Sequence, residues 1–162
     1  MKIIFLDIDG VLCTTRAHVA TGSHGFMMKA LDREGVGLLN RMAIDSTKFV
    51  LSSTWRNIFS QEWMEDHLRR HGWTGEFHED WRTPHNPMIS HPDRRPDEIA
   101  EWLSKNPIGD KGQYVILDDD AWNWSLEQQN HVVRTIFDNG IMWEDFLKAD
   151  KILHGHERWG LF

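Results

Sequence analysis

The sequence predicts an α/β fold built on a mainly parallel sheet, and three features predict it. Short, continuous apolar runs at residues 3–6, 49–51 and 114–117 each stop abruptly at polar residues. Such runs suit strands buried on both faces of a parallel sheet. Between them lie stretches with apolar residues at helical spacing, and strands alternating with helices argue for a layered α/β structure. The 162 residues fit one domain, taken as 1–162, with a core of ordinary size.

In chain order, Ile3-Ile4-Phe5-Leu6 forms the first strand and Asp7-Ile8-Asp9-Gly10 ends it. Residues 14–37 mix Gly, His and Thr with few apolar positions and read as an irregular flap, at most a small cap. Leu38, Leu39 and Met42 give a short helical face. Phe49-Val50-Leu51 is the second strand, closed by Ser52-Ser53-Thr54. Trp63, Met64, His67 and Leu68 mark a helix that stops at Gly72, and 76–79 is a third strand. Residues 83–96 hold four prolines and read as loop, with Pro96 as a first helical residue and Ile99, Trp102 and Leu103 as the stripe behind it. Tyr114-Val115-Ile116-Leu117 is the strongest late strand, ending in Asp118-Asp119-Asp120. Ser125 with Gln128 has the spacing of a capping box; 132–137 reads as a strand and 143–147 as a short last helix.

Composition narrows the function. A formal charge of −7, with no basic block, gives no extended nucleic-acid surface, although one phosphorylated end could still be held locally. The nine tryptophans are expected mainly in the core rather than as stacking platforms. Cys13, the single cysteine, cannot close an internal disulfide and reads as a small buried residue in a reducing compartment. No stretch is long and apolar enough for a signal peptide core or a membrane span, so a cytoplasmic protein with no membrane partner is expected.

The chemistry sits at strand ends. In open parallel sheets, ligands bind beyond the carboxyl ends of the strands, where Asp7, Asp9, Ser52, Asp118 and Asp119 would converge. Gathered carboxylates repel one another and call for a cation. Hard oxygen donors at this density suit Mg²⁺, which often bridges to substrate phosphate. One carboxylate can attack phosphorus, and a second, two residues on, can protonate the leaving oxygen and later deprotonate water. Ser52 offers a hydroxyl to a phosphate oxygen. Taken singly, each motif is ordinary turn or cap chemistry; their joint occurrence after three buried strands is what points to a site.

Lys2-Ile3-Ile4-Phe5-Leu6-Asp7-Ile8-Asp9-Gly10-Val11-Leu12 resembles the first motif of the HAD (haloacid dehalogenase-like) superfamily. Phe49-Val50-Leu51-Ser52 resembles its second motif and Ile116-Leu117-Asp118-Asp119 its fourth. Leu51-Ser52-Ser53-Thr54-Trp55-Arg56, Arg95-Pro96-Asp97-Glu98-Ile99 with Trp102-Leu103, and the strand up to Asp119 look like the small HAD domains of RNA-repair proteins. The 3′-phosphatase domain of phage polynucleotide kinase is a more distant relative in layout. The resemblance implies a three-layer Rossmann-like fold and a phosphatase. Asp7 becomes nucleophile and metal ligand, and Asp9 the general acid/base with its backbone carbonyl on the metal. Asp119 becomes the main ligand of the fourth motif, assisted by Asp118. Ser52, or Ser53 if the strand ends one residue later, binds the phosphoryl group.

The third motif departs from the superfamily's lysine. Arg95 is the best-placed cation, with Arg94, Lys105 and Lys111 behind it, and arginine grips phosphate with a different geometry. Arg56 is either a second phosphate holder or a structural arginine. His67 and His71 share a helix face but lack a third metal ligand; His85 and His91 sit in the proline-rich loop; His154 and His156 read as surface residues. The expected activity is a Mg²⁺-dependent phosphomonoesterase acting through an aspartyl-phosphate on a nucleotide or nucleic-acid terminal phosphate. A phosphate-end binding module of a repair assembly, with little turnover, is the alternative; another HAD reaction such as phosphoryl transfer is a third.

Overall fold

Alternation along the strands places the core. The structure is a computed structural model that describes residues 1–22, 30–44, 46–85, 94–108 and 113–155. Five parallel strands form one sheet in the order β3-β2-β1-β4-β5: β1 (Lys2–Leu6), β2 (Thr47–Leu51), β3 (Phe77–Arg82), β4 (Gln113–Asp118) and β5 (Val132–Arg134). Successive side chains point to opposite faces of a strand. Ile4, Leu6, Phe49, Leu51, Val115 and Leu117 therefore enter one core, and Ile3, Phe5, Val50, Tyr114 and Ile116 enter the other.

Helices cover both faces. Against the first core pack α2 (Arg33–Met42) through Val36, Leu39 and Met42, α3 (Gln61–Arg70) through Met64 and Leu68, and α6 (Trp143–His154) through Phe146, Ala149 and Leu153. The second core is closed by α4 (Arg95–Lys105) through Ile99 and Trp102. Two short helices complete the chain: α1 (Thr15–Thr21), capped by the Thr14 hydroxyl, and α5 (Leu126–Gln129), which carries the expected Ser125–Gln128 capping box. Every described strand pair is parallel and helices lie on both sides, the three-layer α/β arrangement the sequence predicts.

Four local expectations are corrected. The flap is not irregular throughout: α1 occupies 15–21 and α2 begins at Arg33, because Thr14 and Asp32 each cap a helix start that apolar spacing alone does not reveal. Residues 23–29 of that flap lie outside the described residues. β5 ends at Arg134, since Ile136 opens a turn closed by Gly140 and leaves Ile136 and Phe137 exposed. The last helix is 12 residues long, not five or so. Its packed face runs through Phe146, Ala149, Asp150, Leu153 and His154, so His154 is buried beside Lys2 and Asp150 rather than on the surface. His91, Lys111 and His156 lie outside the described residues.

Of the tryptophans, Trp73 and Trp102 are fully buried and Trp55 nearly so, whereas Trp143 is exposed. Among the described residues, no helix is long and apolar enough to cross a membrane.

Candidate active site

The chain leaves β1 to one side, building β2 and β3, and returns to the other side with β4. The switch point is therefore between β1 and β4, where the carboxyl ends of adjacent strands leave a crevice. Asp7 and Asp118 stand on its two walls. Sheet hydrogen bonding continues past the strand ends: the Asp7 N–H donates to the Leu117 carbonyl at 3.0 Å and the Ser52 N–H to the Leu6 carbonyl at 2.9 Å. These bonds fix the backbone of both residues on the rigid sheet.

Beyond Asp7 the chain doubles back. The Ile8 carbonyl accepts from the N–H groups of Val11, Leu12 and Cys13, and Gly10 N–H donates to the Cys13 carbonyl at 2.9 Å. The Thr135 hydroxyl donates to the Gly10 carbonyl at 2.7 Å, tying this turn to the chain after β5. Gly10 has φ +71, and a Cβ there would run into the Asp119 carboxyl group. Gly10→Ala is thus expected to displace Asp119 and to destabilise by about 1–3 kcal/mol from backbone strain and the clash. A urea midpoint equal to that of the parent protein would show that the turn has room to spare.

Asp7, Asp118 and Asp119 each bring a carboxylate oxygen within 4.8 Å of the others. They are the only group of three or more acid, His or Cys side chains able to share an ion among the described residues. Asp7 is 5 % exposed and Asp118 fully buried. Three carboxylates this close, two of them cut off from water, are stable only with positive charge among them. Arg95, from the first turn of α4, supplies part of it: Nη1 lies 2.8 Å from Asp118 Oδ2 and 3.4 Å from Asp7 Oδ2. Burial opposes the Arg95 charge, but Asp7, Asp118 and Glu98 more than offset it and hold its pKa above the usual value. Its guanidinium also lies 5.3 Å from the centre of the Trp122 ring, within cation–π range.

One arginine does not neutralise the set. Burial, reinforced by the Asp7 charge, pushes Asp118 up to about 7. Burial, then Asp120 and Asp7, pushes Asp119 up to about 6. Hard oxygen donors at this spacing, with a single arginine to balance them, fit a divalent ion. Asp118 is the more engaged carboxylate: Oδ1 accepts from Asp120 N–H at 3.0 Å and from the Trp122 indole at 2.9 Å, while Oδ2 faces Arg95. Asp119 is less enclosed.

Asp9 stands apart from the three. Its carboxylate accepts the Trp55 indole N–H at 2.9 Å, and burial raises its pKa against the effect of that bond, with the Asp7 charge adding to the rise. A half-exposed, partly desolvated carboxyl group with one oxygen anchored suits proton transfer. Cys13, nearby, is buried, and burial with the Asp9 charge pushes its thiol to about 12, which makes it an inert packing residue.

Ser52 and Ser53 differ in what holds them. Ser53 caps the 3₁₀ turn Thr54–Asn57 by accepting from Trp55 N–H at 3.4 Å. The Ser52 hydroxyl is buried and has no hydrogen-bond partner among the described residues. A buried hydroxyl without a partner costs free energy until something satisfies it, and Ser52 carries that cost where Ser53 does not.

The structure does not bring Arg56 to the crevice as a free phosphate holder. Its Nε donates to the Thr83 carbonyl at 3.1 Å, Nη1 to the Ser52 and Ser53 carbonyls at 2.6 and 2.7 Å, and Nη2 to Glu98 Oε2 at 2.6 Å. Arg56 is therefore the structural arginine of the two readings, and it braces the loop that carries Ser52. Arg94 sits at the helix cap, and Lys105, at the far end of α4, pairs with Glu101. His67 stacks on Trp63 and meets His71 edge-on, and His85 Nδ1 lies 3.9 Å from Glu98.

Sequence reasoning missed Trp55 and Trp122, the two indole donors that hold Asp9 and Asp118, and Glu98, the counter-ion of Arg56. Position was the only signal for the first two: each follows a motif within four residues.

The family described as "HAD domain in Swiss Army Knife RNA repair proteins" matches residues 3–146. No curated protein and no solved structure matches the chain.

Proposed function

Because the chain belongs to the family of HAD domains in Swiss Army Knife RNA repair proteins, we propose that it is a Mg²⁺-dependent phosphomonoesterase acting through an aspartyl-phosphate on a nucleotide or nucleic-acid terminal phosphate. The observation that carries the reading is the convergence of Asp7, Asp118 and Asp119 within 4.8 Å at the sheet's switch point. Mg²⁺ held by these three, with the Asp9 backbone carbonyl, would neutralise phosphate charge and align the ester for in-line attack.

The chain's own groups divide the remaining work. The Asp7 carboxylate attacks phosphorus and forms an acyl phosphate, breaking the ester bond. Asp9 gives its proton to the leaving oxygen, then takes one from the water that hydrolyses the acyl phosphate. Trp55 keeps Asp9 aimed through both steps. Ser52 donates to a phosphoryl oxygen, and Arg95 holds Asp7 and Asp118 in register while adding positive charge. A buried cysteine outside any disulfide fits a reducing, cytoplasmic setting.

Phosphate release with Mg²⁺ tested across nucleotides, oligonucleotides phosphorylated at either end and small metabolites, with Asp7→Asn as control, decides the matter. Turnover of a phosphorylated oligonucleotide that chelator abolishes is expected. Activity on small sugar phosphates alone would overturn the substrate assignment.

The metal also carries a pH prediction. In the folded protein Asp118 and Asp119 hold their protons up to about 7 and about 6, whereas in the unfolded chain they release them near 3.8. The folded state thus binds more protons through that window, so these two groups cost the metal-free protein stability as pH rises from about 4 to 7. Mg²⁺ held by these carboxylates would remove the cost by favouring their charged forms. The Tm gain from Mg²⁺ should therefore be larger at pH 8 than at pH 5, and a gain that is equal at both would count against cation binding by this pair.

The binding-module reading has one observation in its favour: Arg95 itself neutralises part of the charge on Asp7 and Asp118. Metal-dependent capture of a phosphorylated end with no phosphate release would establish it instead.

A further inference from the structure

A cavity of about 510 Å³ opens beside β3, lined by Asn57, Arg82, Thr83, His85, Trp102 and Lys105 among others. Part of its lining lies at the carboxyl edge of the sheet. Leu6 pairs with Leu51 and Leu51 with Arg82, so Thr83 follows β3 at the same carboxyl edge where Asp7 follows β1. Two strand spacings separate them, about 10 Å. From there the cavity follows α4 towards its end: Lys105 lies ten residues beyond Arg95, about 15 Å along the helix.

The two places are mechanically joined. Arg56 donates to the carbonyls of both Ser52 and Thr83, and Arg82 Nη1 donates back to the Arg56 carbonyl at 2.7 Å. The Thr83 hydroxyl is buried and has no partner among the described residues. Cationic Arg82 and Lys105, with half-exposed His85, face this space on a chain whose net charge is −7. Asp80, the acid in the lining, already accepts from Asn106 at 2.9 Å. Among the described lining residues Trp102 offers no face to a base, since it is fully buried with its indole N–H on the Asp80 carbonyl.

We propose that this cavity holds the sugar–phosphate chain next to the substrate's terminal nucleotide, so that the protein prefers oligonucleotide ends to mononucleotides. The proposal rests on the terminal-phosphatase reading above and deepens it. Its volume suits about one nucleotide unit. Cations beside a buried tryptophan predict contact mainly with the backbone and little dependence on base identity.

The test is a length series: a mono-, di- and trinucleotide bearing the same terminal phosphate, and an aryl phosphate, each assayed with Mg²⁺ on the parent protein and on Lys105→Glu. Lys105 is exposed and pairs only with Glu101 among the described contacts, so its reversal leaves the crevice intact. KM is expected to fall about tenfold from mono- to trinucleotide and to lose that fall in Lys105→Glu, with aryl phosphate turnover unchanged. Equal KM along the series, with aryl phosphate still hydrolysed, overturns the cavity assignment and leaves the phosphatase reading standing. If no substrate is hydrolysed, that reading fails. The same series measured as binding, by anisotropy of a labelled trinucleotide, then decides the cavity: a length-dependent gain lost in Lys105→Glu supports it, and no length dependence overturns it.

Discussion

Asn in place of Asp7 is expected to abolish phosphate release while leaving the fold intact. An amide has nearly the carboxylate's shape, so its oxygen can still accept the Ile8 N–H that Asp7 Oδ1 now accepts at 2.8 Å. The backbone bond from position 7 to Leu117 is untouched. Lost are the nucleophilic oxygen and one anionic ligand of the ion, and neither neighbour can replace the first: Asp118 is engaged by Arg95, Trp122 and Asp120, and Asp9 is anchored by Trp55. A fall of at least about a thousandfold in kcat/KM is expected, equivalent to about 4 kcal/mol in the barrier. An aryl phosphate is the right substrate for this measurement, because its good leaving group makes the assay depend on the nucleophile rather than on Asp9. Circular dichroism and a thermal melt must show the variant folded. Turnover equal to the parent's would remove Asp7 from the mechanism.

How much of this was legible in the sequence depends on whether a property is carried by one strand or by a meeting of several. Runs such as Ile3-Ile4-Phe5-Leu6 announce a doubly buried strand, because each residue contributes to one core or the other and none can be polar. The acids that end them were therefore legible as a group at one sheet edge. Helix starts at Thr14 and Asp32 were not, since a cap is a single polar residue that looks like any loop residue until the turn behind it is seen. His154 was misplaced for a related reason: the polar residues of α6 hide a packed face that continues to its last turn.

Within the crevice, the sequence anticipated that the acids and Arg95 would lie together but left the serines and Arg56 open. The two serines differ by one backbone bond, from Trp55 to the Ser53 hydroxyl, while the Ser52 hydroxyl has no partner among the described residues. Trp55 and Trp122 were legible as large apolar residues; their indole donors matter only because folding sets them against Asp9 and Asp118.

Arg56 shows the same limit with the largest consequence for stability. Next to Ser52 in sequence, it invites a reading as a phosphate clamp, yet Glu98, 42 positions away, decides its role. The two side chains are 3 % and 8 % exposed, and Nη2 and Oε2 are 2.6 Å apart. Removing one member of a buried pair strands the other's charge, which costs about 3–5 kcal/mol. Arg56→Ala should lose about that much by urea denaturation, and it also frees the Ser52, Ser53 and Thr83 carbonyls that Arg56 now satisfies. Glu98→Gln made together with Arg56→Ala should recover part of the loss, because it removes the stranded charge without restoring the carbonyl contacts. A phosphate clamp would behave otherwise: Arg56→Ala would raise KM with a urea midpoint close to the parent's, and Glu98→Gln would rescue nothing.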